Sequence, residues 1–439
     1  MDESSLRDLL GRAIAEEPPM GPVAHNSLLA GIRLRRRHRA REAVSCAAVI
    51  ALAAAGIPLA ARSAGQAPQT AAALPMSRNV FVLNSTDTLT PISIAAGQAG
   101  PPVTVGPYVN DMLVTPNGKT VYVSNRGDTV VPVSAATDTA GSPIKVGQSP
   151  AAMAITPNGK TLYVANAGSG TVTPVSTATN RPGHAIKVGE FPGTYPGGMV
   201  MSPDGKTVYV TSAGSGTVTP ISTVTNTAGQ PIRVTRPLSQ HKVRNEAGNK
   251  GGIYKVGPFP DIMAMTPDGK TLYVTVANSD VVVPISTVTD TAGQPIKLGS
   301  QATALAITPD GRNLYAATGK SVVPITTATN TAGQPITVGS QVSALTVTPD
   351  SKTLYVAVWD APGTTKWGLV IPVATATNTA GQPVKGGKWP EAEALTSNGA
   401  TLYVVNEASN TVMPIDTATN TAGAPIKVSQ QPVAIGIGP

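Results

Sequence analysis

Residues 266–299 read TPDGKTLYVTVANSDVVVPISTVTDTAGQPIKLG. Pro267-Asp-Gly-Lys has proline and Asp-Gly where a tight turn favours them. TLYVTV is strand-like, ANSD is a loop, and VVVPIST is strand-like again. TDTAGQ then turns the chain into PIKL, while IMAMTP, just before the segment, supplies an apolar strand in front. Four short strands joined by hairpins make one antiparallel unit. That unit recurs from about Asn79 to the C-terminus, and a period near 40 to 45 residues of such units specifies a β-propeller of four-stranded blades.

Two markers fix the register. The aromatic of the (L/V)-Y-V element falls at Phe81, Tyr122, Tyr163, Tyr209, Tyr273, Tyr315, Tyr355 and Tyr403. A proline in the following run falls at Pro91, Pro132, Pro174, Pro220, Pro284, Pro324, Pro372 and Pro414. Both series step by 40 to 48 residues, apart from one step of 64 between the fourth and fifth members. The expected fold is therefore all-β, with eight blades by repeat count and seven as the alternative. The first repeat lacks an inner strand, and the chain ends in Gln431-Pro-Val-Ala-Ile-Gly-Ile437 with nothing after it. The C-terminal strand is expected to complete the first blade and close the ring.

Composition agrees. Of 439 residues, only 4% are aromatic and 13% charged, and Gly and Pro are abundant, which suits short strands and tight turns. The net charge is +8, and six arginines crowd into Arg33–Arg41, so the repeat region is too mildly basic for a nucleic-acid partner to be expected. A single cysteine, Cys46, allows no internal disulfide.

The segment 43–61, AVSCAAVIALAAAGIPLAA, carries no charge. As a helix it spans about 28 Å, close to the hydrocarbon thickness of a bilayer. The arginine block just before it places the N-terminus in the cytoplasm and the rest outside, by the positive-inside rule. The expected organisation is a partly helical cytoplasmic segment 1–42, a transmembrane helix 43–61, a linker 62–78 and a propeller 79–439. Cleavage after the apolar run, with secretion, is a competing reading, and a buried soluble helix is another. Leu6, Leu9, Leu10 and Ile14 form an amphipathic stripe in the N-terminal segment, fitting either a docking helix or one that lies on the membrane surface.

The fourth strand of each blade is an exposed edge. Proline opens it at Pro102, Pro143, Pro231, Pro295, Pro335, Pro383 and Pro425, and a base follows at Lys145, Lys187, Arg233, Lys297, Lys385 and Lys427. Both devices blunt edge-to-edge aggregation, and the bases also suit a cationic rim facing anionic wall polymer or lipid. The recurrent proline of the third strand is anomalous, since a central strand loses a ladder bond to it; a local bulge is expected.

The runs TLYVTVANSDVVVPIS and TVYVTSAGSGTVTPIS resemble the YVTN-family β-propeller repeat of prokaryotic surface proteins, across residues 79–437. The resemblance implies a surface or secreted protein. Some propellers related to that family are lactonases or carry redox cofactors, and its best-known ring has seven blades. Leu314-Tyr-Ala-Ala and Leu354-Tyr-Val-Ala-Val-Trp depart from the motif.

No metal site, cofactor site or catalytic set is expected. His184 and His241 lack spaced partners, and there is no G-x-S-x-G elbow or P-loop. The Pro-Asp/Asn-Gly turns at Asn117, Asn158, Asp204, Asp268, Asp310 and Asn398 lack the alternating oxygens of a calcium loop and read as hairpin turns. The repeat is broken at Thr235–Tyr254 and Trp359–Trp367, in loops expected on one face; the first break either follows strand four or interrupts it. Tyr108, Phe191, Tyr195, Phe259 and Trp389 follow fourth strands, with Asp111, Asp261 and Glu391 nearby. Together with Trp359 and Trp367 these form the candidate ligand-binding set. Aromatic platforms beside carboxylates suit carbohydrate or peptide, and the same rings suit a plug for the channel mouth.

Three functions are open: a membrane-anchored binding scaffold for a cell-surface glycan, wall polymer or protein; a sensor relaying to residues 1–42; and a lactonase-like hydrolase using Asp111, Asp261, Glu391 or Glu393.

Overall fold

The computed structural model describes residues 79–188, 196–235, 239–244, 250–256, 259–359 and 367–438. Eight separate antiparallel sheets follow one another along the chain, and their innermost strands touch in cyclic order, so the ring has eight blades rather than seven. Blade 5 is representative: Phe259–Met265 innermost, then Thr271–Ala277, then Val281–Ser286. Blade 1 is made from both ends of the repeat region. Pro432–Ile437 is its inner strand and pairs antiparallel with Asn79–Asn84.

The outer edge differs from the sequence expectation. No blade has a continuous fourth strand; in blade 5, two-residue pieces Thr291–Ala292 and Ile296–Lys297 pair with opposite ends of Val281–Ser286. The third-strand proline explains the gap. In an antiparallel strand a residue's N–H and C=O point to the same side. The Pro284 carbonyl accepts from the Gly293 amide on the outer side at 2.7 Å, so the missing N–H also lies on that side. The ladder to the second strand is intact, and the outer strand bulges past the proline. A Cβ on Gly293 would sit 3.3 Å from Pro284 Cγ, tighter than most side chains tolerate. The same proline–glycine pair recurs in every blade, from Pro91 with Gly100 to Pro414 with Gly423.

The core lies between blades. Each second strand is buried on both faces, which is why it reads as a continuous apolar run rather than an alternation. Apolar clusters fill every junction: Phe81, Leu83 and Met112 between blades 1 and 2, and Val80, Tyr403 and Ile435 between blades 8 and 1. Each fully buried aliphatic side chain there contributes about 1.5–3 kcal/mol.

A polar latch crosses the junctions. The tyrosine of one blade donates to the left-handed Asn in the next blade's outer turn: Tyr163 Oη to Asn226 Oδ1 at 2.6 Å, Tyr273 to Asn330 at 2.6 Å, Tyr355 to Asn420 at 2.7 Å. Tyr122 with Asn180, Tyr315 with Asn378, and Tyr209 with Asp290 complete six latches. Blade 1 breaks the pattern on both sides. Phe81 has no hydroxyl to offer Asp138, whose Oδ1 is buried without a hydrogen bond, and the turn facing Tyr403 carries Gly97 in the left-handed position.

The Thr-Pro-Asp/Asn-Gly segments are hairpin turns. In blade 3, Gly159 N–H donates to Thr156 O, Thr156 Oγ1 donates to Asn158 Oδ1, and Lys160 N–H reaches the same Oδ1. Ile232–Arg233 completes strand four before the longer break, so Thr235–Tyr254 belongs to the connection between blades 4 and 5. That connection holds a hairpin of its own, Ser239–Arg244 with Lys250–Val256. Among the described residues no helix is long and apolar enough to cross a membrane. Residues 1–78, with the expected cytoplasmic segment, 43–61 span and linker, lie outside the described residues.

Restoring the missing latch provides a test. Phe81→Tyr should stabilise the ring by about 1 kcal/mol, the net worth of one hydrogen bond, and Asn330→Ala should lose a similar amount. Denaturant midpoints measure both; no gain from Phe81→Tyr would show that the Asp138 carboxylate is already satisfied.

Candidate functional site

The connections from second to third strand and from one blade to the next open on one face, and hydrogen bonds tie them together. Tyr108 N–H donates to Asp87 Oδ1 at 2.6 Å, Ser149 N–H to Asp128 Oδ1 at 3.0 Å, and Gln431 N–H to Asn410 Oδ1 at 2.8 Å. Just before the inner strand of blades 1, 2, 3 and 8 stands a left-handed residue, Gln431, Tyr108, Ser149 and Trp389 respectively. A register shift then occurs at the start of the inner strand in most blades, and Asn110, Asp261 and Glu391 fall within it.

The candidate residues divide among four blades. Tyr108 stands 66% exposed at the start of blade 2. Asp111, on the strand that follows, is half-buried, and its carboxylate accepts from Met112 N at 2.8 Å and from Met153 N of blade 3 at 3.0 Å. Burial pushes this carboxyl up to about 7, against the pull of those two amides. Phe259 and Asp261 are half-buried at the start of blade 5. Phe191 and Tyr195 lie outside the described residues.

The remaining four gather where blade 7 meets blade 8. Trp359 is half-buried and its Nε1–H donates to Pro390 O at 2.7 Å, pinning the blade 7 loop to the blade 8 inner strand. Glu391 is buried beside Pro390 on that strand. Trp389 is 54% exposed and its carbonyl accepts from Glu407 N at 2.9 Å. Trp367 is 43% exposed and points outward, with Lys385 Nζ 4.7 Å and Lys388 Nζ 5.9 Å from its ring centre. The three tryptophans thus share a sector without forming a single platform: Trp359 braces the junction, and Trp367 and Trp389 face solvent.

Below them is a feature whose meaning depends on its register. The fourth inner-strand position is Met112, Met153, Met199 and Met263 in blades 2 to 5, and packs against the preceding blade. In blade 8 it is Glu393. Its carboxyl is 2% exposed, and neither oxygen makes a well-formed hydrogen bond. Burial pushes it up to about 8, and the Thr346 hydroxyl of blade 7 offsets this only in part. Thr346 likewise replaces a small or apolar residue, such as Ala154, Ala264 or Ala306. Sequence reading reached Glu393 only as a possible catalytic group; aligning the inner strands would have marked it as an acid in an apolar position. Among the described residues no cluster of three or more His, Cys, Asp or Glu is arranged to hold a metal ion.

These two carboxyls make stability depend on pH. In the unfolded chain Glu393 titrates near 4.5 and Asp111 near 3.8, so between those values and about 8 and 7 the native state holds protons that the unfolded state has released. Stability should therefore fall as pH rises from about 4 to 8, by up to about 9 kcal/mol for the two groups together, since each tenfold difference in proton affinity between the two states is worth ~1.4 kcal/mol. Glu393→Met should flatten the upper part of that slope and raise stability at pH 8. Equilibrium unfolding at pH 5 and pH 8 distinguishes this from an equal effect at both.

The comparisons match this architecture. The family described as "Lactonase, 7-bladed beta-propeller" matches residues 76–180, less than half the chain. No curated protein matches. Among solved structures, the chain is similar to Kuenenia stuttgartiensis hydrazine synthase, at 22% identity and a TM-score of 0.52, over 70% of this chain and 95% of that one. It is also similar to the dihydro-heme d1 dehydrogenase NirN in complex with DHE, at 10% identity and a TM-score of 0.67, over 83% of this chain and 76% of that one. At these identities the likeness concerns the fold alone: the chain is a β-propeller, and its eight blades exceed the seven of the family it partly matches.

Proposed function

We propose that this protein is a binding module presented outside the cytoplasm, anchored by residues 43–61 and engaging its ligand through the looped face of the propeller. The observation that carries the reading is the sector between blades 7 and 8, where two exposed tryptophans stand on loops that depart from the repeat. Rigid scaffolds commonly carry function on such loops. The charge-free apolar run after an arginine block, and the resemblance of the repeats to YVTN-type surface proteins, support the location.

Lactone hydrolysis is the second reading, favoured by the partial family match at 76–180. Against it, the acids of the inner strands are dispersed: Asp111 lies in blade 2, Asp261 in blade 5, and Glu391 and Glu393 in blade 8. Asp111 is moreover occupied by two backbone amides.

A screen of the full chain against glycans, wall fragments and peptides, paired with a Trp367→Ala/Trp389→Ala variant, tests the binding reading. Trp359 is left intact because it braces the junction. The expected result is a ligand that the wild type binds and the double variant loses, with unchanged melting. Turnover of simple lactones that is abolished by Asp111→Asn, with no ligand retained on the screen, would favour the hydrolase instead.

A further inference from the structure

The exposed aromatics of the blade 7–8 sector are accompanied by two exposed bases, Lys385 and Lys388, while the acids Glu391 and Glu407 of that sector are buried. Four of the other connections between blades carry small polar pairs, Gln148-Ser149, Ser300-Gln301, Ser340-Gln341 and Gln430-Gln431, and three carry an aromatic, Tyr108, Tyr195 and Phe259, after an uncharged residue; here alone a base precedes the aromatic, as Lys388-Trp389. The connection within blade 7 is also lengthened and ends on Trp367. Two independent departures from the repeat thus bring tryptophan and lysine to adjacent loops.

The loops are held firmly. Gly368 N–H donates to Gly387 O at 2.7 Å, and Gly386 N–H donates back to Gly368 O at 2.8 Å. Lys388 N–H donates to Ser409 Oγ at 3.1 Å. A Cβ on Gly368 would lie 2.2 Å from Pro390 Cδ, and one on Gly387 would lie 2.5 Å from Asn406 Cγ, so glycine is required at both positions for the loops to meet. The backbone under Trp389 and Lys388 is therefore set before any ligand arrives, which lowers the ordering cost of binding. Lys385, Lys388 and Trp389 are all exposed, and Lys385 Nζ lies 4.7 Å from the Trp367 ring centre.

Resting on the binding-module reading, we propose that this sector binds an anionic glycan, whose sugar ring stacks on Trp389 and whose carboxylate or phosphate groups meet Lys385 and Lys388. An aromatic face suits the C–H face of a pyranose, and two ammonium groups beside it select a charged saccharide over a neutral one. Trp367 holds Lys385 by cation–π contact, which keeps that charge at the patch.

The test measures binding of the full chain to polygalacturonate, to a polyol-phosphate wall polymer and to neutral amylose, at low and high salt. Variants are Lys385→Ala/Lys388→Ala and Trp389→Ala. The control is Lys187→Ala/Lys297→Ala, which removes bases at the equivalent outer-strand position of blades 3 and 5. At least one anionic polymer should bind, weaken with salt, and lose about tenfold or more in each patch variant but not in the control. Whichever polymer binds identifies the anion as carboxylate or phosphate. Melting curves establish that the variants fold. An equal loss in the control would overturn the proposal in favour of diffuse attraction to the whole rim. Binding of amylose as tight as that of the anionic polymers would also overturn it, as would no anionic polymer binding. A neutral glycan or peptide captured through Trp389 would sink this inference yet leave the binding-module reading standing.

Discussion

The pairing of Pro432–Ile437 with Asn79–Asn84 is the constraint on which the rest depends. No blade has a core of its own; the apolar residues of its second strand are covered only by the blades on either side. Opening the ring at any junction would expose two such faces, and the chain ends determine whether it is open. The latches omit the same place. Six tyrosines reach into the next blade, and the two missing cases flank blade 1. The closing blade lacks the tyrosine latch of the other junctions and is held by its ladder, by apolar packing and by the loop contacts of Asp87 with Tyr108 and of Gln431 with Asn410.

The outer rim solves a different problem. A ring of sheets presents an edge at every blade, and long flat edges recruit other chains. Here the outermost strand is reduced to two-residue pieces separated by a bulge, with proline before the second piece in seven blades and a base within it in six. The third-strand proline permits the interruption because its missing donor faces outward. A sequence feature that would be destructive in a fully paired central strand is harmless once the strand is central on one side only.

Much of this was legible from the chain. The (L/V)-Y-V aromatics marked eight repeats because every second strand must present the same residue to the same junction. The Thr-Pro-Asp/Asn-Gly turns were legible because their hydrogen bonds close within six residues. The split outer strand was not, since Pro284 and Gly293 lie nine residues apart and only their contact shows which way the proline nitrogen points. The candidate site was legible only in part. Periodicity identified the loops that break the repeat, but not where their side chains point: Trp359 turns inward to Pro390 while Trp367 turns outward to Lys385. Tyr108 and Phe259 are equivalent to Trp389 in the repeat yet stand in other blades, because equivalence in a ring means separation by rotation.

Departures from a repeat carry meaning in proportion to how they coincide. Phe81 stands alone, and its effect is an unsatisfied Asp138. Glu393 and Thr346 depart together, from opposite blades, at positions that face each other across one junction. Lys388-Trp389 and Trp367 depart together on adjacent loops of that same junction. Burial raises the carboxyl of Glu393 far above the usual carboxylate range and so favours its neutral form, which does little to oppose the positive field of Lys385 and Lys388. A methionine, as in blades 2 to 5, would serve the packing at least as well. That the acid occurs in a sector where the rim also changes places the two departures in a single region of the ring.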